Sequence, residues 1–440
     1  MEATIEKTTL QRYPACKNSG VEWLGEIPEH WEILPGLSFI FENKDRNKGM
    51  IRNTVLSLSY GKIRIKGENE LTGLVPESFE TYQFVNKGDL IFRPTDLQND
   101  TVSLRSSISE YEGIITNAYL NLRFKSKANP KFYHYFFRSI DNNKIIYGLG
   151  SGLRQNISYL DFRRFQFPFP PKKEQTAIAN FLDDKTTKID QAITIKQKQI
   201  ELLKERRQIL IHKAVTRGLK ENVKLKESGV EWIGEIPEHW EVKKIKHISS
   251  KIGSGVTPSG GGTTYLDSGI PLLRSQNVLF GKIELEGVAF ISDKVHESMS
   301  NSQVHKGDVL LNKTGGSIGR CHFVDFDSKL NVNQHVCIIR PNRNITTIFL
   351  NSILSSEIGQ GQIWFNQQGG GREGLNFQSI KNFSLPLPSI SEQKSICDFI
   401  DVSTNKIATA ISLKEQEIEK LKEYKMSLID GVVTGKVRVT

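Results

Sequence analysis

Cysteine is scarce in this chain of 440 residues, and the four present, Cys16, Cys321, Cys337 and Cys397, form neither a CxxC pair nor a regular framework. No disulfide scaffold is expected, and a reducing, cytoplasmic setting is. Long apolar runs are missing too. None approaches the roughly 20 residues of a membrane span, and the opening MEATIEKTTLQRY lacks the apolar core of a secretory signal. A soluble protein with no membrane partner is the expectation.

Catalytic signatures are equally sparse. HExxH and a paired-carboxylate motif are both missing. GSGVTPSGGG (Gly253 to Gly262) and KTGGSIGR (Lys313 to Arg320) match neither GxxxxGK[ST] nor GxGxxG, so they are read as flexible loops or tight turns. Cys321 and His322 are neighbours in a strand-like run and point to opposite faces, which excludes joint ligation of a metal with His335 and Cys337. No catalytic residue, metal site or cofactor is assigned to this chain.

What the chain does have is repetition. SGVEWLGEIPEHWE (Ser19 to Glu32) returns as SGVEWIGEIPEHWE (Ser228 to Glu241), 228 − 19 = 209 positions later, with Leu24 replaced by Ile233. His30 and His239 stand beside Trp31 and Trp240 in this motif and are expected to pack at a domain entrance. Further on, FPFPPKKEQTAIANFLD (Phe167 to Asp183) matches LPLPSISEQKSICDFID (Leu385 to Asp401) at an offset of 385 − 167 = 218. Each half therefore has an opening motif, a diverged stretch and a shared tail, and the second diverged stretch is 218 − 209 = 9 residues longer. A period this long means a duplicated domain pair, not a solenoid.

The tails read as long helices. Apolar residues recur at spacings of three and four through Ile189, Ile193, Ile200, Leu203 and Leu210, and again through Ile407, Ile411, Ile418, Leu421 and Leu428. Such a stripe, interrupted at Lys196 and Lys414, points to coiled-coil helices packed on each other; the alternative is that each lies on its own domain. The diverged stretches hold short β-rich runs, such as Lys87 to Pro94, Gly113 to Phe124, Lys306 to Lys313 and Gln334 to Pro341. Helical patches lie at Pro130 to Ile140 and Thr346 to Ser356. The fold class is therefore α+β: two tandem α+β domains joined by two long helices, with an internal pseudo-two-fold repeat. The expected boundaries are an N-terminal extension over 1–18, domain one over 19–171 and helix one over 172–218. Linker and domain two follow over 219–389, then helix two and a tail over 390–440.

Charge narrows the partner. The net charge is +10, and Lys185 to Lys226 carries twelve Lys/Arg against four Asp/Glu, whereas Ser403 to Thr440 carries seven against five. A basic excess suits a polyanion, through release of counterions condensed on its phosphates.

The opening motif with GEIPEHWE, GVTPSGGGTTYLDSGIPLLRSQNV (Gly255 to Val278), KGDVLLNKTGGSIGR and the LPLPSISEQKSICDFID entry into a helix together resemble the specificity subunits of type I restriction–modification enzymes, over essentially the whole chain. The resemblance implies two target recognition domains that read the halves of a bipartite double-stranded DNA site. It implies antiparallel spacer helices that set the gap and dock two methyltransferase subunits, with two restriction/translocase subunits completing the complex. S-adenosylmethionine, ATP and Mg would sit on those partners, which would methylate adenine and cut DNA, while this chain catalyses nothing. The candidate DNA contacts are Arg46, Lys48, Arg52, Arg93, Arg105 and Arg154 in the first domain, and Arg274, Lys313, Arg320 and Arg372 in the second, each able to meet a base edge or a phosphate. Arg154 and Arg372 occupy equivalent positions before the exit into the helices. Two other classes stay open: a self-contained nuclease or methylase, and a coiled-coil scaffold with no DNA role.

Overall fold

The computed structural model describes residues 11–70, 78–97, 104–149, 156–258, 265–367 and 374–439. The chain forms two bodies, Met1–Lys196 with Glu415–Thr440, and Gln197–Lys414. Each body thus takes a portion of both long helices.

The duplicated opening motif builds the same object twice. In the first body a two-stranded ribbon pairs β1 (Cys16–Asn18) with β2 (Glu26–Pro28). Between them Val21 O accepts hydrogen bonds from the N–H groups of Leu24 and Gly25. Gly25 has φ +66° and its counterpart Gly234 has φ +68°, a left-handed conformation that favours glycine, so this position cannot drift in either copy. Trp31 and Trp240 end the motif at 0% and 1% exposure. Truncating a tryptophan so placed would cost roughly 3–5 kcal/mol.

The strand leaving the motif explains why both repeated segments were kept together. β3 (Glu32–Pro35) pairs antiparallel with the later Phe-Pro-Phe strand. In the second body Glu241–Lys244 pairs in the same way with Ser384–Leu387. Entry and exit of each diverged stretch are therefore hydrogen-bonded neighbours.

Between them lies a four-stranded antiparallel sheet. The first body's sheet contains β4 (Ile40–Glu42), β5 (Leu90–Phe92), β6 (Ser106–Ile108) and β7 (Leu120–Phe124), in the order β4-β7-β5-β6. The Phe-Pro-Phe strand is β8 (Gln166–Phe169). The second body's sheet contains β9 (Ser249–Ser254), β10 (Val309–Asn312), β11 (Cys321–Phe323) and β12 (Val336–Pro341), in the matching order β9-β12-β10-β11. The second body adds a four-stranded sheet through Ile270–Leu273 and Leu330–Val332, which pair in parallel. Helix α1 (Pro130–Asn142) packs on the first sheet, burying Phe132, Phe136, Phe137 and Ile140. β5, β7, β10 and β12 fall within the β-rich runs expected from sequence and α1 starts with its expected helical patch, whereas β4, β6, β9 and β11 lie outside those runs.

The tails form α2 (Lys172–Arg217) and, after the shorter α3 (Thr347–Ser355), α4 (Ile390–Val433). Gly431 does not end its helix; the left-handed Gly218 (φ +72°) and Gly435 (φ +76°) follow the two ends. In the first body the helices run antiparallel, since Asp190 meets Lys425 at 2.7 Å and Lys196 meets Glu417 at 2.6 Å. In the second, Ala214 and Val215 share a core with Ile396 and Ile400. Of the stripe, Ile189, Ile200, Ile407, Ile418 and Leu428 are buried, while Ile193, Leu203, Leu210, Ile411 and Leu421 are half-buried.

Candidate nucleic-acid interface

The two ends of each four-stranded sheet are built differently. At one end, a Lys-Gly-Asp turn precedes β5 in the first body and β10 in the second. Asp89 caps its own turn through the Asn86 N–H at 2.9 Å, and Asp308 does so through His305 at 2.7 Å. Each carboxylate also takes an arginine from the neighbouring strand. Arg123 Nε donates to Asp89 at 3.0 Å; Arg340 Nε and Nη2 donate to Asp308 at 2.7 and 2.8 Å.

This end is tied to the long helix. Gln175 accepts from the Asn129 N–H and Gln393 from the Thr346 N–H, both at 2.7 Å, and each donates to a proline carbonyl just before its helix, Pro170 or Pro388. His30 and His239 belong to the same joint, as expected. Nε2 of each lies 2.8 Å from a glutamate in the first helical turn, Glu174 or Glu392. Burial raises the Glu392 pKa, but hydrogen bonds from His239, Ser389 and Trp240 outweigh it and hold the carboxyl at about 2. In the first body Tyr13 donates to Glu174 at 2.5 Å, and the Trp31 indole N–H has no partner.

At the opposite end the bodies diverge. In the second body, β9, β10, β11 and β12 bring together Thr257, Asn312 to Thr314, Arg320 and Gln334-His335 at this rim. Asn312 holds the Arg274–Asn277 turn against it by donating to Ser275 O at 2.7 Å. Gly255 is required here. A Cβ there would lie 1.6 Å from Val332 O, so only glycine lets β9 run this close to the 332–334 segment. Thr257 then donates to Gln334 Oε1 at 2.6 Å, Gln334 Nε2 lies 3.1 Å from His335 Nε2, and His335 Nδ1 lies 2.6 Å from Thr314 Oγ1.

In the first body the matching rim carries Arg46, Lys48, Arg93, Asn117 and Tyr119. Arg46 bridges to Gln83, whose amide donates to Tyr119 O at 2.7 Å. Burial raises the Tyr119 phenol pKa, and nearby Arg93 tempers the rise.

Of the sequence candidates, Arg46, Lys48 and Arg320 are exposed at the rims, and Arg93 is half-buried there. Arg274 is half-buried with its guanidinium over Tyr265, and Lys313 lays its ammonium over the Phe377 ring. Arg105 needs correction. It is 0% exposed, and its guanidinium donates to Thr95 O at 2.7 Å and Asp96 O at 3.0 Å, so it holds the loop after β5 and cannot face DNA. Arg52 also turns inward, to Val85 O, Asn86 and Glu112. Arg154 and Arg372 lie outside the described residues. Sequence reasoning did not single out Thr257, Gln334 or Asn117, and weighed His335 as a metal ligand alone. The available signal was that uncharged polar residues immediately precede a predicted strand at the diverging end.

Such a rim can do what duplex recognition requires. Exposed cations meet phosphates, and fixed hydroxyl, imidazole and carboxamide groups present donors and acceptors to base edges. Among the described residues, no group of three or more His, Cys, Asp or Glu could hold a metal ion, and no helix is long and apolar enough to cross a membrane.

Two bodies of one plan, each with an anchored frame and a divergent polar rim, define a duplicated recognition protein. The family model for the type I restriction modification DNA specificity domain matches residues 38–205 and 237–423, and the chain belongs to that family. It is similar to the MjaVIII specificity subunit of Methanocaldococcus jannaschii, 28% identical over 74% of this chain and 75% of that protein. It is also similar to the putative MjaX specificity subunit of the same organism, 25% identical over 94% and 96%. The fold matches a chain from a study of complex assembly in the type I R-M system (TM-score 0.70, 13% identity, 92% of this chain and 98% of that one). It also matches the HsdS subunit from Thermoanaerobacter tengcongensis (TM-score 0.56, 13% identity, 93% and 98%). Family membership supports a role in DNA sequence specificity.

Proposed function

We propose that the chain is the non-catalytic DNA-reading subunit of a type I restriction–modification complex, acting in the cytoplasm. The recognition domains, 19–171 and 219–389, each read one half of a bipartite duplex site through the rim of the four-stranded sheet. Helices α2 and α4 act as an antiparallel coiled coil that sets the gap and docks two methyltransferase subunits. Two restriction/translocase subunits complete the assembly, and S-adenosylmethionine, ATP and Mg belong to the partners.

The observation that carries this reading is the contrast within each sheet. The end tied to the helix keeps its Asp–Arg pair and glutamine anchor in both copies, while at the far rim, beside the carboxamide that Asn117 and Gln334 share, the residues differ: Ala118 stands where the second body has His335, and Tyr119 where it has Val336. A shared frame with divergent rims suits two readers with one scaffold and two targets.

Selection from a random duplex pool at two salt concentrations tests it, with the full-length chain and its cognate methyltransferase subunit. One bipartite motif with a fixed gap should be enriched at both, while nonspecific binding falls steeply with salt. Affinity without sequence preference would refute the reading and favour a scaffold.

A further inference from the structure

The four-residue chain Thr257–Gln334–His335–Thr314 does more than line a rim. The Thr257 hydroxyl donates to Gln334 Oε1 at 2.6 Å, which fixes the oxygen. Gln334 Nε2 then faces His335 Nε2 at 3.1 Å and donates to it. His335, accepting at Nε2, carries its proton on Nδ1 and donates to Thr314 Oγ1 at 2.6 Å. The carboxamide is held in one orientation by Thr257 and His335, and His335 is in turn fixed by Thr314 from another segment.

An amide oxygen has two lone pairs and an amide nitrogen two hydrogens. With one of each engaged, Gln334 keeps one acceptor and one donor. That is the pair adenine requires in the major groove, where N6–H donates and N7 accepts; guanine offers two acceptors there and is a poor match.

The first body repeats the chemistry. Phe92 and Leu311 each stand three residues after the shared turn aspartate, Asp89 or Asp308, and their cross-strand partners are Leu120 and Cys337. Three residues before those partners stand Asn117 and Gln334, both carboxamides, at the same register position. Asn117 Nδ2 donates to Thr81 O at 2.6 Å, which also leaves its amide with an acceptor and a donor.

We propose that Gln334 is a specificity-determining residue of the second body that reads an adenine in its half-site, with His335 as the positioning residue that orients the amide. This rests on the bipartite reading above. The test is duplex-pool selection with the full-length chain and its cognate methyltransferase subunit, scoring each position of both halves.

Gln334→Ala should lower discrimination at one position of one half by roughly tenfold to a hundredfold, leaving the other half and the gap unchanged. Gln334→Glu, which can only accept, should move that position from adenine towards cytosine. His335→Gln supplies an oxygen that can accept from Gln334 and should keep the wild-type preference, whereas His335→Leu should lose it. An unchanged motif in both Gln334 variants overturns the inference, as does simultaneous loss of both halves. Full preference in His335→Leu overturns the positioning role. A wild-type chain with no bipartite motif overturns the underlying reading instead, so the two failures are distinguishable.

Discussion

Arg340→Met tests whether the anchored end of the sheet is structural. The Asp308 side chain is 1% exposed, and Arg340, 26% exposed, meets it with two hydrogen bonds of 2.7 and 2.8 Å. Removing the arginine leaves a buried carboxylate with the His305 N–H as its remaining donor. Stranding one member of a buried pair costs roughly 3–5 kcal/mol. The second body spans Gln197–Lys414, or 414 − 197 + 1 = 218 residues. For a unit of that size each kcal/mol moves the midpoint by about 2–4 °C, so its calorimetric transition should fall by roughly 6–20 °C. The double variant Asp308→Leu/Arg340→Met removes both charges and should recover most of that loss, because replacing a buried pair by apolar side chains is often neutral. A shift below about 2 °C in the single variant, or no recovery in the double, would refute the reasoning.

Arg105→Ala should destabilise the first body by about 2–4 kcal/mol in thermal unfolding, since two loop carbonyls lose a charged donor, and should leave the salt dependence of DNA binding unchanged. Arg320→Ala should do the reverse, with stability within about 0.5 kcal/mol of wild type and the salt slope lowered by about one. Gly255→Ala places a Cβ 1.6 Å from Val332 O and must displace β9. It should cost about 1–3 kcal/mol and abolish preference in the half-site read by the second body, measured by melting and duplex selection. Glu392 has its folded pKa depressed from 4.5 to about 2, so its stabilisation is present above pH 4.5 and lost as pH falls through about 2. Acid titration of unfolding should show that window, and His239→Ala should narrow it.

The long helices and the joint were legible because their signals are local and written twice, while in the diverged stretches only the central strands β5, β7, β10 and β12 showed as apolar runs. Gly25 and Gly234 could not vary without strain, and the apolar stripe from Ile189 to Leu210 repeats from Ile407 to Leu428. The rim was harder to read. Arg105 and Arg320 look alike in sequence, each flanking a short strand, yet one is sealed under the loop after β5 and the other is exposed. Which way an arginine turns depends on non-local partners, here the carbonyls of Thr95 and Asp96. Gln334 drew no notice because a lone polar residue carries no periodic signal. Its significance comes from Thr257 and Thr314, 77 and 20 positions away, which pin it and its neighbour His335.

Adenine methylation mapped across the host genome, with and without this gene, is the most direct measurement. Two divergent rims on a shared frame predict that one bipartite motif with a fixed gap loses its methylation when the gene is removed, and that Gln334→Ala relaxes a single position in one half. An unaltered methylation pattern, or loss of a contiguous motif without a gap, would contradict it.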